Sequence, residues 1–166
     1  AHRELKPSNI FLDKNYYPKI GDFSISTFCN DDTVLQDSYG SPAYMAPEVL
    51  FENEYSNKAD VYSYSMVLYQ LITGNCRIYN CNLFELRKKI EQGERPKIRD
   101  GEATPAFENL IKACWSQNPD DRPSFIQIVK KLIDNKDEFV DMTLADEEEI
   151  EFYIEDAIQG LDLSLA

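Results

Sequence analysis

His2-Arg3-Glu4-Leu5-Lys6-Pro7-Ser8-Asn9 stands near the amino end of this 166-residue chain, and Gly21-Asp22-Phe23-Ser24 follows shortly after it. The first stretch sets an acid, a cation and an amide on one Pro-containing loop. The second adds a carboxylate, Asp22, thirteen residues after Asn9. Asn and Asp oxygens are hard ligands, suited to a Mg²⁺ ion that is already bound to phosphates. A further carboxylate nearby, Glu4, can accept a hydroxyl proton. A lysine beside it, Lys6, can neutralise charge on a transferring phosphoryl group. Taken singly, each residue is ordinary loop chemistry, and a lone Asn or Asp-Phe in a loop is more often structural. The signal lies in the combination.

Outward from these stretches the chain reads as a small hairpin and then helices. Ile10-Phe11-Leu12, a turn over Asp13-Lys14-Asn15, and Pro18-Lys19-Ile20 predict two short antiparallel strands. Ser24 to Tyr39 is largely polar, with no clear period of 2.0 or 3.6, and reads as a long loop of the kind that is usually functional. From Ser56 the pattern is helical. Val61, Ser65, Leu68 and Ile72 trace one face, widened by Tyr64 and Leu71, of a helix apolar enough to be central and ended by Gly74. Leu83, Leu86 and Ile90 predict a shorter helix ending at Gly93. Phe107, Leu110, Ile111, Cys114 and Trp115 predict another, as do Phe125, Ile128, Val129, Leu132 and Ile133. Core packing accounts for both stripes. Pro119 and Pro123 punctuate the link between them.

With these elements in order, the chain resembles the protein kinase family. His2 to Asn9 looks like the catalytic loop, with Glu4 where the family's usual form has Asp. Gly21-Asp22-Phe23-Ser24 looks like the metal-binding Asp-Phe-Gly motif with Ser in place of Gly. Ser41-Pro42-Ala43-Tyr44-Met45-Ala46-Pro47-Glu48 looks like the end of the activation segment. Asp60-Val61-Tyr62-Ser63-Tyr64-Ser65 resembles the start of the lower lobe's central helix. Cys114-Trp115, Pro119 and Asp121-Arg122-Pro123-Ser124-Phe125 resemble the late Arg-containing motif, in the form seen in tyrosine kinases and the tyrosine-kinase-like group.

The resemblance covers residues 1 to about 135 and implies ATP and Mg as cofactors, with transfer of the γ-phosphate to a protein substrate. Residue by residue, it implies Asn9 and Asp22 as metal ligands, Glu4 and Lys6 as catalytic side chains, and Phe11 as the floor of the adenine pocket. Lys6 is of the type found in serine/threonine kinases, which favours Ser or Thr hydroxyls as acceptors. Arg3 matches the arginine that pairs with a phosphorylated activation loop, in which Thr27, Thr33, Ser38 and Tyr39 carry hydroxyls. Ser41 matches the residue that holds the catalytic loop. Glu48 and Arg122 match a structural ion pair, and Asp60 the buried acid that caps the catalytic-loop backbone.

Two departures bear on catalysis. Glu4 is one methylene longer than Asp, and a misplacement of ~1 Å lowers a rate roughly 10²-fold, so weakened transfer is expected. Ser24 replaces a Gly that tolerates positive φ, so a stiffer segment is expected. A third is larger. Only Ala1 precedes His2 and no Met leads the chain, so the upper lobe, with its Gly-rich loop, strand lysine and helix Glu, is expected to be missing. By itself such a chain is expected to be marginally stable and without kinase activity. The alternative is a pseudokinase or interaction module. The expected architecture is mainly α: a kinase-like C-terminal lobe over 1–135 with a short hairpin at the catalytic loop, and an acidic helical extension over 136–166.

Composition narrows the partners. Thirty Asp and Glu against 17 Lys and Arg give a net charge of −13, against a nucleic-acid binder or docking on anionic lipid. Residues 134–166 carry −11 of it, with 12 acids and one Lys. There Ile150, Tyr153, Ile154, Ala157 and Ile158 predict one more helix, capped by Asp146 and lying on the body through its apolar stripe. A docking segment for a basic partner is the second reading of that tail. No apolar run approaches the ~18 residues of a membrane span. Cys29, Cys76, Cys81 and Cys114 are scattered and His2 is the sole histidine, so no zinc pattern can be built. Reduced thiols and a cytoplasmic location are the default where no secretory signal is read.

Overall fold

The computed structural model describes residues 1–28, 35–36, 40–139 and 147–159. Its axis is the helix Asn57–Thr73 (α2). Ser56 caps it by accepting from the Lys58 amide, and Gly74, at φ 65°, ends it with its amide on the Gln70 carbonyl. Left-handed backbone of this kind favours glycine, which has no Cβ to clash. Val61, Tyr62, Ser65, Met66, Val67, Leu68 and Tyr69 are all buried, so the helix is enclosed over most of its circumference. Two buried serines within it are satisfied locally: Ser63 Oγ donates to the Tyr44 and Ala59 carbonyls, and Ser65 Oγ to that of Tyr62. The last turn leaves the core, and Leu71, expected on the buried face, is 73% exposed.

Around α2 lie Pro47–Phe51 (α1), Leu83–Glu91 (α3), Pro105–Cys114 (α4), Phe125–Asp134 (α5) and Lys136–Phe139 (α6). Capping explains where the longer ones begin. Asn82 with Glu85, and Ser124 with Gln127, form reciprocal capping boxes, and Thr104 accepts from the Phe107 amide ahead of Pro105. α4 buries Leu110, Ile111 and Cys114 against α2. α3 meets Leu50 of α1 through Leu86 and Ile90, and Arg87 lies over the Phe51 ring at 5.2 Å. Leu83, expected on that face, sits at the first helical position, ahead of the contact, and is exposed. On α5 only Ile128 is fully buried, because this helix lies at the edge of the base; Val129, Leu132 and Ile133 are half-buried. Phe125 is more open but sets its ring edge-on to Tyr64 at 5.8 Å. Phe139 of α6 is buried edge-on to Phe107 at 5.0 Å.

The hairpin forms as the sequence predicts: Ile10–Leu12 (β1) pairs antiparallel with Pro18–Ile20 (β2), Phe11 opposite Lys19. Asp13 shapes its turn, accepting from the Asn15 and Tyr17 amides. The long loop is not wholly irregular. Leu35–Gln36 (β3) pairs antiparallel with Glu54–Tyr55 (β4), a two-residue ladder too short to leave a periodic signal. Helix Glu147–Ile158 (α7) carries half-buried Ile150, Ile154 and Ile158. Tyr153 meets the Tyr17 ring at 5.1 Å, and Glu151 pairs with Lys136 at 2.8 Å. Ala157, expected on the stripe, is exposed, and the proposed cap Asp146 lies outside the described residues.

Candidate active site

Asp60, in the first turn of α2, fixes the loop that precedes the hairpin. Its Oδ2 accepts from the His2 amide at 2.6 Å, and its Oδ1 from the Arg3 amide at 2.9 Å and the Tyr55 hydroxyl at 2.6 Å. A helix N-terminus favours that negative charge. Arg3 takes a left-handed φ of 73° between these bonds, and its guanidinium lies over the Tyr55 ring at 5.4 Å. Burial, reinforced by Asp60, pushes the Tyr55 phenol far above its ordinary value. Tyr55 carries no signal in the sequence beyond standing five residues before Asp60.

The chain then tightens into a 3₁₀ turn over Pro7–Asn9. Asn9 is buried and its Nδ2 donates to the Glu4 carbonyl at 2.9 Å, which leaves Oδ1 as the amide's remaining acceptor. The Asn9 carbonyl accepts from the Gly21 amide at 2.9 Å, so Asn9 and Asp22 are brought to one end of the hairpin. His2 closes the same corner. Its Nδ1 accepts from the Glu4 amide, so Nε2 carries the proton and donates to the Gly21 carbonyl at 2.9 Å, and its ring meets Phe23 edge-on at 5.1 Å. His2, which opens the first motif, is thus a strut between the two motifs.

Glu4 and Lys6 form an ion pair, Nζ to Oε1 at 2.6 Å, and Lys6 Nζ also donates to Ser41 Oγ at 3.2 Å. A cavity of about 590 Å³ opens beside Lys6 and Ser41, walled by Pro7, Tyr44, Leu71 and Cys76. Asp22 has a φ of 61°, and its Oδ1 accepts from Ser24 Oγ at 2.7 Å. The Ser24 hydroxyl, with the Lys6 charge behind it, holds the Asp22 carboxyl below its usual range. In this segment the positive φ falls on Asp22 and not on Ser24. Phe11 is exposed, with its ring against Gly21: a Cβ there would stand 2.8 Å from Phe11 Cε2, so only glycine fits without moving the ring.

Farther down, Arg122 is 1% exposed and grips Glu48 with both terminal nitrogens, at 2.7 and 2.8 Å. Its remaining donors reach the Ser116, Lys58 and Gln117 carbonyls. Thr27 exchanges backbone bonds with Ala1. Thr33, Ser38, Tyr39 and Cys29 lie outside the described residues.

The donor set suits a magnesium ion shared with phosphates. It offers one amide oxygen and one carboxylate, and no group of three His, Cys, Asp or Glu among the described residues makes a complete metal cage. The family model for the protein kinase domain matches residues 1–133. Serine/threonine-protein kinase VIK of Arabidopsis thaliana is 36% identical over 138 residues, 79% of this chain and 32% of that protein. A probable serine/threonine-protein kinase of Dictyostelium discoideum is 39% identical over 129 residues, 77% of this chain and 14% of its own length. The RGS domain-containing serine/threonine-protein kinase A of the same organism is 38% identical over 131 residues, with 79% of this chain and 12% of its own length covered. The chain thus spans a third or less of these relatives. Its match to the family model over most of its length shows that it belongs to the protein kinase family.

Proposed function

We propose that this chain is the phosphate-transfer half of an ATP-dependent protein serine/threonine kinase of the tyrosine-kinase-like group, acting in the cytoplasm. Asn9 Oδ1 and the Asp22 carboxylate hold Mg²⁺, which neutralises phosphate charge when bound. Phe11 forms the floor under the nucleotide base. Glu4 orients the acceptor hydroxyl of a protein substrate and takes its proton as the hydroxyl oxygen bonds to the γ-phosphorus and the β,γ-bridging bond breaks. Lys6 carries positive charge to the transferring group. The Lys6–Ser41 hydrogen bond, beside a cavity of about 590 Å³, is the observation that supports this reading most. The acidic extension, residues 136–166, offers charge to a basic partner, and its described helix α7 meets the body through Tyr153 on Tyr17.

A weakened kinase or pseudokinase is the second reading, and the Glu4–Lys6 pair favours it: at 2.6 Å each charge occupies the other. Residues 1–166 contain no Gly-rich phosphate loop, so by themselves they are expected not to transfer phosphate. The test is γ-³²P-ATP labelling of a Ser/Thr peptide library by the full-length protein that carries this chain. Mg²⁺-dependent label on Ser or Thr is expected. A folded full-length protein that transfers nothing contradicts the enzyme and supports the second reading.

A further inference from the structure

Ser24 does more than replace a glycine. Its hydroxyl donates to Asp22 Oδ1 at 2.7 Å. Asp22 is exposed and strained at φ 61°, so nothing packed around it fixes its side chain. Neighbouring Gly21 is tied on both sides, by the Asn9 carbonyl and by His2 Nε2. The backbone up to Asp22 is therefore pinned, while the carboxylate beyond it depends on Ser24. We infer that Ser24 is a positioning residue for the metal-binding carboxylate: its hydroxyl holds Asp22 in one rotamer, with Oδ2 left for the metal, a role a glycine at this position cannot fill. This rests on the proposed magnesium-nucleotide site.

The physical consequence is preorganisation. An exposed Asp without this bond samples several rotamers and loses that freedom when it binds a metal. With it, most of the loss is already taken in the folded protein. Immobilising one such side chain corresponds to a change of about 2- to 10-fold in affinity. Ser24 is exposed, so its removal leaves no cavity.

The experiment measures Mn²⁺ binding by electron paramagnetic resonance in the full-length protein with ATP and no acceptor. It compares wild type with Ser24→Ala, Ser24→Gly and Ser24→Thr. Ser24→Ala is expected to weaken Mn²⁺ binding about 2- to 10-fold, with an unchanged thermal midpoint. Ser24→Gly should weaken it at least as much, and Ser24→Thr, which keeps a hydroxyl, should bind as wild type does. The KM for Mg·ATP should rise in the Ala variant more than kcat falls. Equal or tighter Mn²⁺ binding by the Ala variant overturns the role of Ser24 and leaves the nucleotide site standing. No saturable Mn²⁺ binding by wild type overturns both.

Discussion

Glu4 illustrates how much one methylene changes. The carboxylate reaches Lys6 at 2.6 Å and is held there. Shortening it draws the carboxylate back from Lys6 and frees both charges. In the full-length protein, Glu4→Asp is expected to raise kcat by roughly ten- to a hundredfold, with little change in KM for the acceptor. Steady-state kinetics read this directly, and a rate equal to or below wild type shows that Glu4 is already well placed. The grouping of these residues was legible in the sequence because acid, cation and amide stand in one short run. What Ser24 does was not. The hydrogen bond to Asp22 depends on a left-handed backbone at Asp22, and no residue type announces that. The strut made by His2 was hidden for a similar reason, since its partner Gly21 carries no side chain.

Between elements, the Glu48–Arg122 pair joins the start of α1 to the turn before α5. Arg122 is also flanked by aromatic surface: its guanidinium and that of Arg95 each lie 5.2 Å from the Tyr62 ring centroid. Lys58 donates to the Arg122 carbonyl, closing the same joint from α2. Removing one partner leaves a buried charge unmatched, so Arg122→Ala is expected to lose about 3–5 kcal/mol of stability. Urea denaturation checks it, and a loss under 1 kcal/mol would mean that water enters the joint and solvates Glu48. The helices were readable from apolar spacing and caps: α4 buries one periodic stripe, α5 half-buries one, and α2 is enclosed over most of its circumference. Leu71 and Leu83 broke the pattern at helix ends, where periodicity continues but the neighbouring element does not. The β3–β4 ladder is set by tertiary pairing over two residues, shorter than any pattern a sequence can display.

For the whole molecule, the core is rich in phenols. Burial raises Tyr55, Tyr62 and Tyr79 well above the ordinary value, and pushes Tyr64 up to about 12. Unfolded phenols release protons near pH ~10. Above that the unfolded chain binds fewer protons than the folded one, so stability is full below pH ~10 and falls as pH rises, by up to ~1.4 kcal/mol per pH unit for each phenol. For Tyr64 the loss runs between about pH 10 and its folded value of about 12. Urea midpoints across this range should decline steeply. A flat midpoint to pH 11 contradicts the enclosure of these rings.

The most direct measurement is calorimetric titration of ATP into the full-length protein, with and without Mg²⁺, for wild type and for Asp22→Ala. If Asn9 and Asp22 hold the metal that seats the nucleotide, wild type binds ATP tightly only with Mg²⁺, and Asp22→Ala loses most of that Mg²⁺-dependent gain. Equal affinity in all four titrations contradicts the magnesium-nucleotide site.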